Sequence, residues 1–126
     1  MKYKTIFIVA FVLYLIFGLA FIFLPEFAMS FFDNEPTSLG KQFITRWWGI
    51  ALLGLGTTLI FALNASANSI GLRAIKLGHF VHFAAGFFLG IANNIWAEPK
   101  PAIWAIVVLF GVFAVLFGML AFNEKA

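Results

Sequence analysis

Two histidines three residues apart, His79 and His82, are the side chains of this sequence best suited to chemistry. They lie in a long apolar stretch, and a helix there sets them about 60° apart on the wheel and one turn apart in height. An ionisable group is costly in such a setting, so each is a candidate site. As metal ligands they lack a third donor at the same depth, because Asn93, Asn94 and Glu98 lie more than two turns further on. As haem ligands they cannot grip both faces of one ring; one of them would be a single axial ligand, with a partner chain supplying the other. As a proton relay they lack a buried carboxylate to hand the proton to. The competing role is structural: His82, between Gly78 and Gly86, hydrogen-bonds a neighbouring helix, with Thr57 or Thr58 as partner, and fixes register. That role is the favoured one, so no cofactor is expected. His79 and His82 stand as the cofactor-binding candidates if haem or a quinone is held.

A second group gathers at one helix boundary. Arg46, Trp47, Trp48, Asn93, Asn94, Trp96 and Glu98 together would line a shallow, aromatic-walled site for a small amphipathic molecule or a lipid headgroup. The simpler reading is an anchoring belt of tryptophans with Arg46 snorkelling toward the headgroups, paired to Glu98 or Glu26. Serine-nucleophile, paired-carboxylate and phosphate-loop patterns are absent, and Gly54-Leu55-Gly56 is not followed by the rest of a dinucleotide fingerprint. The chain has no cysteine, which excludes disulfides, thiolate metal sites and iron–sulfur clusters within it. Catalysis is not expected.

The elements that must position these residues are four apolar stretches, 6–24, 43–63, 74–96 and 102–122. Each is near the ~20 residues that cross a ~30 Å hydrocarbon layer, and backbone groups in lipid must pair within the segment, which demands helices. Hydrophobic residues make up 63% and charged residues 10% of the 126, against roughly a half and a quarter in soluble domains. The expected fold is therefore all-α, one integral membrane four-helix bundle over residues 1–126, with no soluble domain. Lys2 and Lys4 precede the first stretch like a signal-peptide n-region, but the apolar run is long for one, so a retained span is expected.

Pro25 ends the first span. Glu26 to Asp33 then places Phe27, Ala28, Phe31 and Phe32 on one side, a short amphipathic interfacial helix. Asn34 to Ser38 is a turn, with Thr37 or Ser38 capping the next helix. All four tryptophans fall at the same end of their spans, in keeping with headgroup anchoring. Lys2, Lys4, Arg73, Lys76 and Lys125 share the other end against Glu124 alone, which sets both termini in the cytoplasm. So few basic residues give nucleic-acid binding no support.

Small residues mark where membrane helices approach. The third span carries Ala74, Gly78, His82, Gly86, Gly90 and Asn94 at steps of four. The second carries Gly54, Thr58 and Ala62, and the fourth Val107, Gly111, Ala114, Gly118 and Ala121. Spans two, three and four are thus expected to sit closest, with the bulky first span turned to lipid or a partner. Most of the 18 phenylalanines read as lipid-facing surface and bundle packing.

Pro25 through Phe32, followed by Arg46, Gly49, Leu53, Gly54 and Gly56, resembles the DoxX-like group of small bacterial four-helix membrane proteins and related families of unknown function. The matching stretch covers less than a third of the chain. The resemblance implies a bacterial inner-membrane protein, in a group sometimes linked to quinone or respiratory chemistry, and it transfers no catalytic residue. The leading functional expectation is a non-enzymatic accessory or structural subunit that docks in a larger membrane complex or against itself. The alternatives are a haem-, quinone- or lipid-binding protein, and an oligomeric channel or carrier.

Overall fold

The computed structural model describes residues 3–32, 38–96 and 101–123, with the backbone alone at 95 and 96. Five helices follow one another: α1 Tyr3–Phe23, α2 Pro25–Ser30, α3 Leu39–Phe61, α4 Ile70–Trp96 and α5 Pro101–Phe122. A 3₁₀ turn, Ala62–Asn64, extends α3. Among the described residues there is no strand. Four helices (α1, α3 with its turn, α4 and α5) are long and apolar enough to cross a membrane. The shortest, at 21 residues, reaches about 31 Å at 1.5 Å per residue.

Local chemistry sets the boundaries. Pro25 has no N–H to continue the α1 ladder, so the chain bends at Leu24 and restarts as α2, with Pro25 at its first position. Ser38 caps α3, its hydroxyl accepting from the Lys41 N–H at 3.2 Å. Ser69 does the same for α4 by accepting from the Leu72 N–H, also at 3.2 Å. That cap starts α4 at Ile70, four residues before the expected Ala74. On α2 the residues Pro25 and Ala28 are buried, while Phe27 and Phe31 face outward with Glu26 and Ser30. The expected end of that helix at Asp33, and the Asn34-to-Thr37 turn, lie outside the described residues.

The helices associate as two antiparallel pairs, α1 with α3 and α4 with α5. In the first pair, rising numbers on α1 meet falling numbers on α3. Tyr3 reaches the Ala65 carbonyl, Tyr14 and Phe11 cover Gly56, and Gly18 meets Gly49. The Gly18–Gly49 crossing is a backbone contact: a Cβ at Gly49 would lie 2.6 Å from the Gly18 carbonyl oxygen. In the second pair Gly86 packs on Phe110, Gly90 on Val107, Gly111 on Phe87 and Gly118 on Phe80. Each glycine is a hole that receives one bulky side chain of the facing helix.

This corrects the expectation that α1 stands apart from a tight trio. Gly18 is the only glycine of α1, and one glycine at the crossing is enough to dock the helix. Ile6, Phe7, Ala10, Tyr14 and Gly18 form its buried face, while Ile8, Val9, Val12 and Ile16 face outward. Gly54 and Gly78, in contrast, meet nothing within 4 Å. The two pairs meet through aromatic rings rather than close backbones. Phe7 stacks on Phe117 and Tyr14 on Phe83, each at 5.7 Å between centroids, while Phe83 also stacks on Phe113 and Phe117 within its own pair. Phe23, Phe43, Phe61, Phe88 and Phe122 lie on the outer surface, so the phenylalanines divide between both roles.

Candidate functional site

The middle of the bundle holds one polar chain. His79, buried on α4, has Tyr14 of α1 at its Nδ1 and Thr58 of α3 at its Nε2, both at 3.1 Å. The Thr58 hydroxyl donates its single proton to the Leu55 carbonyl at 2.7 Å. It must therefore accept from His79, which fixes the imidazole proton on Nε2 and leaves Nδ1 to accept from the Tyr14 hydroxyl. Every donor and acceptor in the chain Tyr14–His79–Thr58–Leu55 is matched, and it ends on a carbonyl. Such a neutral, closed network ties three helices together in apolar surroundings. The Phe117 ring, 5.2 Å from the imidazole, covers it. A ligand on either nitrogen of His79 would have to displace Tyr14 or Thr58.

His82 takes the other position. Thr58, one of its two expected partners, is held by His79, and Thr57 donates to its own helix at Leu53. One turn on and 60° around from His79, His82 points to the edge of the pair interface rather than across it. Its ring lies among Tyr14, Phe83 and Phe110 at 5.2–5.8 Å between centroids, and its buried Nε2 has no hydrogen-bond partner. The ring also lines a laterally open cleft of about 550 Å³, whose other wall is Phe43, Ile44, Trp47, Trp48, Ala51, Leu52 and Leu55 of α3. The histidines thus differ in kind: one is closed within the bundle, the other borders open space. Among the described residues no group of three or more His, Asp or Glu side chains is placed to hold a metal.

The second candidate group is not assembled as one site. Arg46 is exposed, and its Nε donates to the Ile22 carbonyl at 3.2 Å, in the last turn of α1 where Pro25 stops the ladder. Glu26 accepts from Gln42 at 2.8 Å instead of pairing with Arg46. Trp47 and Trp48 belong to the cleft wall. Asn93 is exposed, whereas Asn94 is buried with its Nδ2 unpartnered. Among the described residues no hydrogen bond joins Arg46 or the tryptophans to either asparagine. Glu98 and the Trp96 side chain lie outside the described residues.

One polar residue of interest escaped the sequence reading. Lys76, counted there only among the charges at one end of the spans, is 5% exposed, and its ammonium lies 5.3 Å from the centroid of the Tyr3 ring. The Tyr3 hydroxyl donates to the Ala65 carbonyl at 3.3 Å, so this aromatic ring fastens the start of α1 to the α3–α4 connection and shields the lysine. The signal was present: Lys76 stands one turn before His79 on the same helix face.

No protein-family model matches the chain, and no curated protein or solved structure matches it.

Proposed function

We propose that this chain is a non-enzymatic integral membrane protein that acts by association within the bilayer, as an accessory or structural subunit of a larger membrane complex or a homo-oligomer. The observation that supports this most is the closed Tyr14–His79–Thr58–Leu55 chain. The Tyr14, His79 and Thr58 side chains are matched to one another, and none of the three is left as a free acid, base or nucleophile. The outer surface agrees, since Ile16, Phe43, Trp47, Val81, Phe88 and Val115 present broad apolar area suited to lipid or another membrane protein. In this reading both termini are cytoplasmic, which the bias of Lys2, Lys4, Arg73, Lys76 and Lys125 to one end supports, and the membrane is a bacterial inner one, as the DoxX-like resemblance implies.

The test is extraction from its native membrane in a mild detergent, followed by mass measurement of the particle. The expected result is protein mass above the 14.0 kDa of one chain, from partners or further copies. A strictly monomeric particle without any partner would contradict the proposal.

A further inference from the structure

The chain passes from one helix pair to the other only once, between α3 and α4, at the end of the bundle that carries both termini. At the far end each crossover stays within its own pair: α2 links α1 to α3, and the α4–α5 connection links the other two. No covalent tie therefore joins the pairs at that end. The topology is that of two hairpins hinged on one side.

The non-covalent ties follow the same division. Tyr3 covers Lys76, Phe7 stacks on Phe117 and Tyr14 bonds His79, all between the terminal end and the middle of the helices. The buried core that both pairs share begins at Ile6 and Leu72 and stops at Tyr14 and Phe83. Further out, close packing continues inside each pair, where Gly18 meets Gly49, Gly86 meets Phe110 and Gly90 meets Val107. Close backbone approach is accordingly extensive within each pair and slight between them, where α1 touches α5. The cleft lies where the pairs part, running from Leu55 and His82 near the middle outward to Phe43.

Lipid supplies little drive to close one apolar surface on another, so helices stay together where small residues, stacked rings or hydrogen bonds hold them. In each pair such features extend into the far half. Between the pairs they gather in the terminal half. Segments that share few buried contacts separate at a lower free energy than those in a common core.

We infer that the two pairs are stiff arms that part and close at their far ends, pivoting on the Tyr14–His79–Thr58 link while the terminal half stays joined. From Phe83 to Trp96 an arm is about 20 Å long, so a swing of about 15° moves its tip by about 5 Å. The motion belongs to a single chain and does not rest on the proposed association.

The test is electron–electron double resonance on nitroxide pairs attached to introduced cysteines, with the full chain in phosphatidylcholine nanodiscs. Leu39→Cys with Ala92→Cys spans the two arms at their far ends, both native residues being exposed. Three further pairs of exposed positions are controls: 19 with 39 inside the first arm, 92 with 112 inside the second, and 5 with 74 between the arms at the terminal end. The distance distribution for 39 with 92 should be about twice as wide as any control, with a component about 5 Å beyond the main one. In His79→Leu, which removes the pivot, that longer component should grow while the pairs inside each arm stay unchanged. The comparison among the four label pairs stands even if His79→Leu fails to fold. A 39–92 distribution no wider than the controls, equal breadth inside either arm, or a 39–92 distribution unmoved in folded His79→Leu would each overturn the inference.

Discussion

Replacing Gly49 by leucine is expected to cost about 3 kcal/mol of bundle stability, at the upper end of overpacking penalties. The reason is what a side chain at that position meets. Its Cβ would lie 2.6 Å from the Gly18 carbonyl oxygen and 2.7 Å from Ile22 Cγ1. A flexible side chain yields to such an intrusion at little cost, whereas a helix backbone yields only if α1 and α3 separate. Separation would also draw Tyr14 and Phe11 off Gly56 and lengthen the Tyr14–His79 hydrogen bond. Gly54→Ala, five residues further along the same helix and on another face, is the control: nothing lies within 4 Å of its added methyl, and the change should stay within about 0.5 kcal/mol. Equilibrium unfolding in bicelles measures both. Similar losses at positions 49 and 54 would mean that α1 and α3 do not cross at this glycine pair.

The second large effect belongs to the polar chain. His79→Leu removes the acceptor of the Tyr14 hydroxyl and the donor to Thr58. Thr58 keeps its bond to the Leu55 carbonyl, so the orphaned group is the Tyr14 O–H, buried between α1 and α4. The expected loss is about 1.5 kcal/mol, near the top of the range for interhelical hydrogen bonds in membrane bundles. Removing both partners of a buried hydrogen bond costs less than removing one. Tyr14→Phe combined with His79→Leu should therefore be no less stable than His79→Leu alone. If the losses simply add in the double variant, Tyr14 and His79 are not coupled and the closed chain is wrong.

The apolar spans were legible because a hydrocarbon layer imposes a length and a composition that a sequence displays directly. Pro25 and Ser38 marked their helix ends for the same kind of local reason, a missing N–H and a capping hydroxyl. Pairing was less legible. A glycine announces close approach without naming what approaches, so the stripe of Gly78, Gly86 and Gly90 suggested one face, of which Gly86 and Gly90 pack on α5 while Gly78 meets nothing. The single Gly18, which looked too sparse to dock a helix, is the residue at the α1–α3 crossing.

The histidines show the same limit at the level of a site. Their types and depth pointed to a polar link from His82 to Thr57 or Thr58, but a shift of 60° on the helical wheel decides which of the two histidines makes it, and spacing alone does not fix helix rotation. The structure gives that bond to His79 and sets His82 beside the cleft. Of the polar and aromatic residues grouped by depth at one boundary, rotation likewise separates the described ones, Trp47 and Trp48 onto the α3 face of the cleft and Asn94 into the interior.

The central claim is that lipid, not water, covers this bundle, and cysteine accessibility tests it directly. The chain has no cysteine of its own, so each introduced thiol reports alone. Ser38→Cys precedes α3, Asn68→Cys lies in the α3–α4 connection, and Val81→Cys sits mid-way along α4 on the outer surface, where the native side chain is 56% exposed. In sealed vesicles treated with a membrane-impermeant maleimide, the thiols at 38 and 68 should react from opposite sides, and the thiol at 81 from neither, because hydrocarbon shields it. Rapid labelling at 81, or reaction of 38 and 68 from the same side, would contradict a four-span bundle in a bilayer.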